Sequence, residues 1–391
     1  MPVLPGRQDP HDRRGNRRDP ADGHRAGAGG VAVRRWLALW LLLAAVYGGT
    51  IGIPAFGDSK YSEDEAHHLL TARSIVSDFD ADLADQYAER QFAAFYPYEL
   101  RVSGRATAGR LHEPHGIGFP LLIAPAFAVG GAVAVEGWLA AIAALAFVIA
   151  AILARRLVPE PWATGGVVLV ALSPPVLAYS AGVYPELAAG ALVAFAALCA
   201  LELRDSMRLR FAYSGALALA LAPWLNAEFT IVSLPVAVML VRWTSRTRRR
   251  VATFGVAEIM LASLAVYVTV NERLFGGFTP SAAELPGQAA PGAGFPRELL
   301  ERLAALGLDR DYGLLRWAPI LALGFLAAWL LWRSRREKLA RLIPARRDVE
   351  GAAGLLLAVC GAQILVAALS TPSVFGAWFP GRHLIAVLPC A

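Results

Sequence analysis

Long apolar stretches alternate with short polar ones along most of this 391-residue chain. Many of these stretches are long enough to cross the roughly 30 Å hydrocarbon core of a bilayer as helices. The predicted spans are 36–56, 133–153, 162–180, 187–203, 211–225, 229–241, 251–270, 312–332, 354–369 and an unfinished one that starts at 384. The pattern predicts an all-α polytopic membrane protein with about nine to ten transmembrane helices.

Two long polar intervals interrupt the apolar pattern. Residues 57–132 form the first predicted loop, and residues 271–311, which are rich in Gly and Pro, form the second. The first loop contains an apolar stretch, 119–131, that is too short to cross a bilayer at about 1.5 Å of rise per residue. We therefore interpret 119–131 as a juxtamembrane or re-entrant helix that belongs to the first loop.

The composition supports a membrane protein and gives its predicted orientation. The chain is 56% hydrophobic and 17% charged, whereas about a quarter of the residues are charged in soluble domains. Its net charge of +6 comes from arginines clustered between apolar stretches, a topology signal that argues against nucleic acid as a partner. With 119–131 not counted as a span, the strong clusters fall on one side, beginning with Arg34 and Arg35. We expect a plasma (inner) membrane protein with a cytoplasmic N terminus and extracytoplasmic loops.

The two ends of the chain differ in character. Residues 1–34 are predicted to be a disordered basic cytoplasmic tail, because they contain almost no large apolar side chains. Residues 35–391 then form one transmembrane domain. The chain stops inside the apolar stretch that starts at Leu384, so a truncated C terminus and a minimal form both fit the sequence. The three cysteines lie far apart in apolar stretches and are interpreted as buried hydrophobic residues.

The first loop carries most of the residue types that do chemistry. In its predicted helix, Asp64 and His68 lie one turn apart and so share a face. His112 and His115 form a second group, in which Pro114 prevents a regular helix. Two interpretations stay open here: His68 and His112 as ligands of a divalent metal ion, and a solvated amphipathic helix with local structure.

Charged residues at the predicted outer ends of later spans complete the set. Glu186 begins a span, where it either stabilises the helix dipole or contacts a substrate. Glu228 lies between two short apolar stretches, where an ionisable residue is a functional candidate or pairs with an arginine. Arg382 and His383 open the last apolar stretch on the side that usually lacks arginine. We expect phosphate binding there, because arginine binds phosphate in a bidentate manner.

Five segments resemble the integral-membrane glycosyltransferases of the GT-C fold, in the superfamily of protein O-mannosyltransferases and aminoarabinose transferases that modify lipid A. They keep the family's order over most of residues 36–391. The segments are DEAHHL at 64–69, HEPHGIGFPLLIAP at 112–125, SP at 173–174 with YPE at 184–186, YGLLRWAP at 312–319, and FGAWFPGRHLIAVLP at 375–389.

The resemblance implies a GT-C-like bundle that transfers a sugar, with inversion, from a polyprenyl-phosphate donor in the membrane lipid to a glycan, lipid or protein acceptor outside. It implies that Asp64, with Glu65 beside it, acts as the base on the acceptor hydroxyl. Arg382 is the first choice for the phosphate contact, with His383 and Arg316 behind it. The candidate substrate-binding residues are His68, His112, His115, Glu186, Arg316, Arg382 and His383. The alternatives are a transporter or flippase of a lipid-linked sugar and a non-catalytic envelope-assembly protein of the same fold.

Overall fold

The structure, a computed structural model, describes residues 20–54, 56–285, 297–333, 348–370 and 379–391. The described residues divide into two units, one that ends at Leu39 and one that begins at Trp40, and all the contacts given below lie within the second. Throughout the described residues the regular structure is helical, and β-pairing is limited to isolated bridges. The all-α prediction is confirmed.

The described residues contain fifteen α-helices. They are α1 (Pro20–Gly48), α2 (Glu63–Ser77), α3 (Ala84–Ala88), α4 (Gly118–Leu157), α5 (Trp162–Ala171), α6 (Pro174–Ser180), α7 (Glu186–Ser206), α8 (Leu209–Leu225), α9 (Phe229–Val232), α10 (Leu234–Arg246), α11 (Arg250–Phe275), α12 (Arg297–Leu308), α13 (Leu314–Trp317), α14 (Leu321–Arg333) and α15 (Val349–Ser370). The 3₁₀ turns are Gln91–Ala94, Pro280–Ala283 and Arg382–Cys390.

Several of these helices have the length and composition of membrane spans. Among the described residues four qualify: α4, α7, α11 together with the 3₁₀ turn after it, and α15. The pair α5 and α6 qualifies together but is bent by 66° between its two helices, and α8 and α14 are apolar but shorter. An α-helical membrane protein is therefore confirmed at this level, whereas the count of about nine to ten spans stays a prediction.

Prolines explain why some predicted spans are divided. Pro174 begins α6 and cannot continue α5, because proline lacks the amide hydrogen and clashes with the preceding turn. Pro235 likewise stands in the first turn of α10, so the predicted span 229–241 is divided between α9 and α10. Pro319 lies between α13 and α14, which divide the predicted span 312–332.

The 40-residue helix α4 consists of two helical segments that meet at a kink. At the kink, Gly130 and Gly131 have non-helical backbone angles. The φ of +63° at Gly131 lies in the left-handed region, which glycine adopts at no steric cost. The kink coincides with the end of the stretch 119–131, which was predicted to belong to the first loop rather than to the span that follows.

The N-terminal tail differs from the predicted disorder. The helix α1 begins at Pro20, so residues 20–34 are helical, while residues 1–19 lie outside the described residues. Extending an existing helix is favourable because each added residue gains a backbone hydrogen bond, whereas nucleation is costly. The apolar segment that follows therefore supports helix in an upstream sequence that could not form a core of its own.

The helix α7 lies at the centre of the second unit. It packs against α4, α8 and the 3₁₀ turn Arg382–Cys390, and 72% of its span is buried. The turn approaches α7 at Gly190, where an added Cβ would lie only 2.1 Å from the carbonyl oxygen of Ala386. A glycine at this point of α7 therefore lets the C-terminal segment place Arg382 beside Glu186.

Candidate functional site

The first turn of α2 is held by a capping box. Ser62 accepts a hydrogen bond from the amide of Glu65, and the Glu65 carboxylate accepts one from the amide of Ser62 at 2.8 Å. The other Glu65 oxygen accepts a hydrogen bond from the amide of Val183 at 2.8 Å. Both oxygens of Glu65 therefore bind backbone, and they fix α2 to the loop before α7. This geometry indicates a structural role for Glu65 and does not support the predicted catalytic role.

Arg382 joins two carboxylates that are far apart in the sequence. Its Nη1 donates to Oδ2 of Asp64 at 2.5 Å, and its Nε donates to Oε1 of Glu186 at 3.1 Å. The guanidinium also lies 4.4 Å from the ring centre of Tyr184, a cation–π contact. The side chains of Arg382 and Glu186 are 12% and 11% exposed, whereas that of Asp64 is 33% exposed. The structure thus brings three predicted site residues together and leaves the Asp64 carboxylate the most accessible of them.

Two histidines continue the cluster from Asp64. Nε2 of His115 lies 3.8 Å from Oδ1 of Asp64, and the His115 ring centre is 5.2 Å from that of His68. The Nδ1 atoms of both histidines are buried and have no hydrogen-bond partner among the described residues. Buried polar atoms are usually hydrogen-bonded, so these two nitrogens mark a place where a polar ligand group would find partners.

Charge and burial set the protonation of this cluster. Burial alone would raise the pKa of Asp64, but the charge of Arg382 and the hydrogen bond from it hold that pKa well below its usual range. Burial lowers the pKa of His115 and lowers that of His67 to about 4. At neutral pH the site therefore contains an ionised Asp64 that faces a cation among neutral imidazoles.

Glu228 is a further acid, and the charges of Glu186 and Arg382 influence its ionisation. It lies in the connection between α8 and α9, where its amide donates to the side chain of Asn226 at 3.0 Å. Burial and the nearby charge of Glu186 raise its pKa to about 7, although Arg382 acts in the opposite direction. Glu228 therefore changes its charge in the physiological pH range, unlike Asp64.

A hydrogen-bonded network supports α2 from the side of the first loop. Glu113 accepts hydrogen bonds from the hydroxyls of Tyr87 and Ser103, and it lies 3.5 Å from Nδ1 of His67. The Tyr87 hydroxyl also lies 3.0 Å from that same nitrogen. The His67 ring stacks on that of His115 with 5.5 Å between ring centres, so this network orients the ring that faces Asp64.

The structure does not bring His112 into the cluster with Asp64. Nδ1 of His112 donates to the carbonyl oxygen of Ala81 at 2.7 Å, and its ring packs edge-on against Phe275. The chain turns sharply after it, with Gly116 in the left-handed region, so His112 and His115 make different contacts despite their closeness in sequence. His112 is therefore a structural residue of the loop, and its predicted substrate contact is not supported.

The other two predicted phosphate-binding residues are Arg316 and His383. Arg316 is exposed on the one-turn helix α13. The carbonyl of His383 accepts a hydrogen bond from Nε2 of Gln363 at 2.9 Å, which holds the backbone next to Arg382. Arg382 is the predicted cation that forms ion pairs with the acids Asp64 and Glu186.

The metal interpretation gains no geometric support. Within the described ranges, no group of three or more His, Cys, Asp or Glu side chains is arranged to hold a metal ion. Of the two predicted ligand candidates, His112 uses its Nδ1 in the bond to Ala81, and His68 packs between His115 and Phe119. All three cysteines are free and buried.

Sequence reasoning missed several residues that shape the site. Tyr184, whose ring faces Arg382, and Tyr87 and Ser103, which bind Glu113, were not predicted as site residues. Tyr184 lies in the same short segment as Glu186, YPE at 184–186, and this closeness was the available signal for it. Nothing in the spacing of Tyr87 and Ser103 could have indicated their common partner.

Comparisons of the chain with protein-family models, with curated proteins and with solved structures found no match. A function for this chain must therefore be argued from the residues and geometry described above.

Proposed function

We propose that this protein is a membrane glycosyltransferase that moves a sugar from a polyprenyl-phosphate donor to a hydroxyl group of an extracytoplasmic acceptor. The single observation that carries the proposal is the contact between Asp64 and Arg382. A part-exposed carboxylate lies against a nearly buried guanidinium, so a base and a phosphate-binding cation share one place. The resemblance of the segments around both residues to GT-C glycosyltransferases supports the same assignment.

In the proposed reaction, Asp64 accepts the proton of the acceptor hydroxyl as its oxygen attacks the anomeric carbon. The bond from that carbon to the phosphate oxygen breaks, and its electron pair leaves with the lipid phosphate. The attack comes from the face opposite the leaving group, so the configuration inverts. Arg382 stabilises the charge that develops on the phosphate, which is the largest electrostatic demand of the step.

The pKa of Asp64 gives donor binding a role in activating the base. A carboxylate held well below its usual pKa is a poor base, because proton transfer is most effective when the pKa lies near the working pH. A donor phosphate that binds Arg382 competes with Asp64 for the guanidinium. With less stabilisation from Arg382, the effect of burial dominates and the pKa of Asp64 rises. Asp64 thus becomes a better base when the donor is bound.

The test uses the purified full chain in detergent with a polyprenyl-phosphate sugar and a cell-envelope extract as acceptor. We expect Asp64→Asn to lower the transfer rate by about 10²–10⁴, the usual contribution of a general base, without abolishing donor binding. The matched control is Asp58→Asn, an exposed acid of the same loop, which we expect to leave the rate within about twofold of wild type.

Two outcomes would count against the proposal at different levels. Transfer by Asp64→Asn at the wild-type rate would remove Asp64 as the base. If the wild-type protein neither transfers sugar nor hydrolyses any of a panel of polyprenyl-phosphate sugars, the enzymatic function itself is contradicted.

A further inference from the structure

A cavity of about 620 Å³ lies where α7 ends, between the α7–α8 and α10–α11 loops. Its lining residues are Met207, Arg208, Leu209, Arg210, Arg246, Thr247, Arg248 and Arg249. Arginine is the only charged residue type in this lining, and all of these arginines are exposed. The cavity is therefore a concentrated positive surface that two separate loops build.

Other arginines at this end of α7 are used differently. Arg156 is buried and binds Glu202 and Asp205, and Arg204 binds Asp205 and Asp348. No ion pair within the described residues involves an arginine that lines the cavity. Arg210 and Arg246 lie over the rings of Phe211 and Trp243. Each of the cavity arginines is nevertheless exposed, so their charge is available to a ligand.

The backbone around the cavity also favours an anion. Met207 and Arg248 have φ angles of +53° and +58°, the left-handed conformation in which helices commonly end, and here it turns the chain from α7 into α8 and from α10 into α11. The helices α8 and α11 begin at the cavity, and neither N terminus is capped by a side chain. The positive ends of two helix dipoles therefore add to the arginine charge.

The surroundings indicate that the anion belongs to a lipid. The cavity lies at the ends of two candidate spans, since α7 stops at Ser206 and α11 starts at Arg250. Just beyond it, Val251 and Phe254 on α11 are 84% and 73% exposed. Only 17% of the α11 span is buried within the protein. Apart from Glu258, which is also exposed, α11 carries no charged side chain between Val251 and Thr269, and this matches a molecule with a phosphate head and acyl chains.

We propose that this cavity binds the phosphate headgroup of an anionic phospholipid whose acyl chains lie along the exposed face of α11. Arg208 and Arg248, one from each loop, provide the central contacts. The site is separate from the Asp64 cluster and does not depend on the function proposed for it.

The experiment measures lipid binding to the purified full chain in detergent by native mass spectrometry. Phosphatidylglycerol and phosphatidylcholine with the same acyl chains are compared, and inorganic phosphate is the arm that tests for a free anion. We expect a clear preference for phosphatidylglycerol that weakens with salt. The variant Arg208→Gln/Arg248→Gln should bind phosphatidylglycerol about thirtyfold more weakly. This factor assumes that each of the two arginines makes the usual contribution of a basic residue near a lipid surface.

The matched control is Arg242→Gln/Arg273→Gln, which removes the same charge from two exposed arginines outside the cavity and should change the affinity less than twofold. The variant Arg208→Lys/Arg248→Lys keeps the charge and guards against a folding defect; it should bind with an intermediate affinity. Equal losses in the cavity and control variants would overturn the proposal, because general charge would then explain the binding. Equal binding of both lipids, or displacement of phosphatidylglycerol by millimolar inorganic phosphate, would overturn it as well.

Discussion

The two ends of α7 carry positive charge in opposite ways. At its first residue, Glu186, a nearly buried Arg382 lies between two carboxylates and beside an aromatic ring. After its last residue, Ser206, exposed arginines from two loops surround a cavity whose lining contains no acid. The 21 residues of α7 separate the two regions by about 30 Å, the thickness of a bilayer core.

The difference follows from solvation. A buried guanidinium loses its hydration, and the cost is offset only if carboxylates take the place of the lost water. The position of each carboxylate therefore matters. Exposed guanidinium groups keep their water, and salt screens their mutual repulsion. We therefore expect changes in the Arg382 cluster to act through geometry and burial, and changes in the arginine cavity to act through total charge and ionic strength.

The largest effect on stability is expected from Arg382→Gln. This change leaves Asp64 and Glu186 without their shared cation, and removing one member of a buried ion pair typically costs 3–5 kcal/mol. Because the Asp64 side chain is one-third exposed, we expect a loss of about 3 kcal/mol in the free energy of unfolding. Denaturant unfolding in detergent at pH 7 measures it.

The control for that change keeps the charge and alters the shape. In Arg382→Lys a single ammonium group replaces the forked guanidinium, which binds two carboxylates at different angles. We therefore expect about half of the loss in the free energy of unfolding to remain. The double variant Arg382→Gln/Asp64→Asn should recover part of the loss, since one uncompensated carboxylate is gone. A single variant Arg382→Gln as stable as wild type would mean that the two ion pairs do not stabilise the folded chain.

A smaller, pH-dependent effect is expected from Glu228→Gln. Since the folded pKa of Glu228 is about 7 and its ordinary value is 4.5, the folded state binds more protons between these limits. Stability from this group is therefore greatest below pH 4.5, falls as the pH rises through 7, and is then level. The wild type should lose about 2 kcal/mol more than Glu228→Gln between pH 5 and pH 8. The exposed Glu89→Gln is the control, and parallel pH profiles of wild type and Glu228→Gln would contradict the raised pKa.

Apolar periodicity was sufficient to predict helices but not their continuity. The predicted span 187–203 lies within α7, and 251–270 lies within α11, because no proline or glycine pair interrupts either stretch. Proline divides the predicted span at Pro235, whereas Pro223 lies within the continuous helix α8. Continuity depends on local backbone chemistry, which a hydropathy pattern does not contain.

The residue types of the site could be predicted, whereas their partners could not. Asp64 and Arg382 are 318 positions apart, and only the packing of the C-terminal turn on α7 brings them together. Glu65 is the opposite case, because its contact with Ser62 is local. The spacing of Ser62 and Glu65 is the sequence signature of a capping box, so its structural role was readable from the sequence and was missed. Local signals can thus be read from spacing, while contacts between distant segments require the fold.

The smallest effect on stability is expected from Arg208→Gln/Arg248→Gln, which completes the comparison with Arg382. Both side chains are exposed and have neighbours of the same sign, so their removal relieves repulsion rather than breaking a pair. In lipid-free detergent at low salt, the free energy of unfolding should change by no more than about 0.5 kcal/mol, in the direction of greater stability. Raising the salt to about 0.5 M should remove most of this gain, because the Debye length then falls to roughly 4 Å and the repulsion between exposed charges is screened. A loss of stability as large as that of Arg382→Gln would mean that the cavity arginines stabilise the folded chain, and it would contradict a role confined to anion binding.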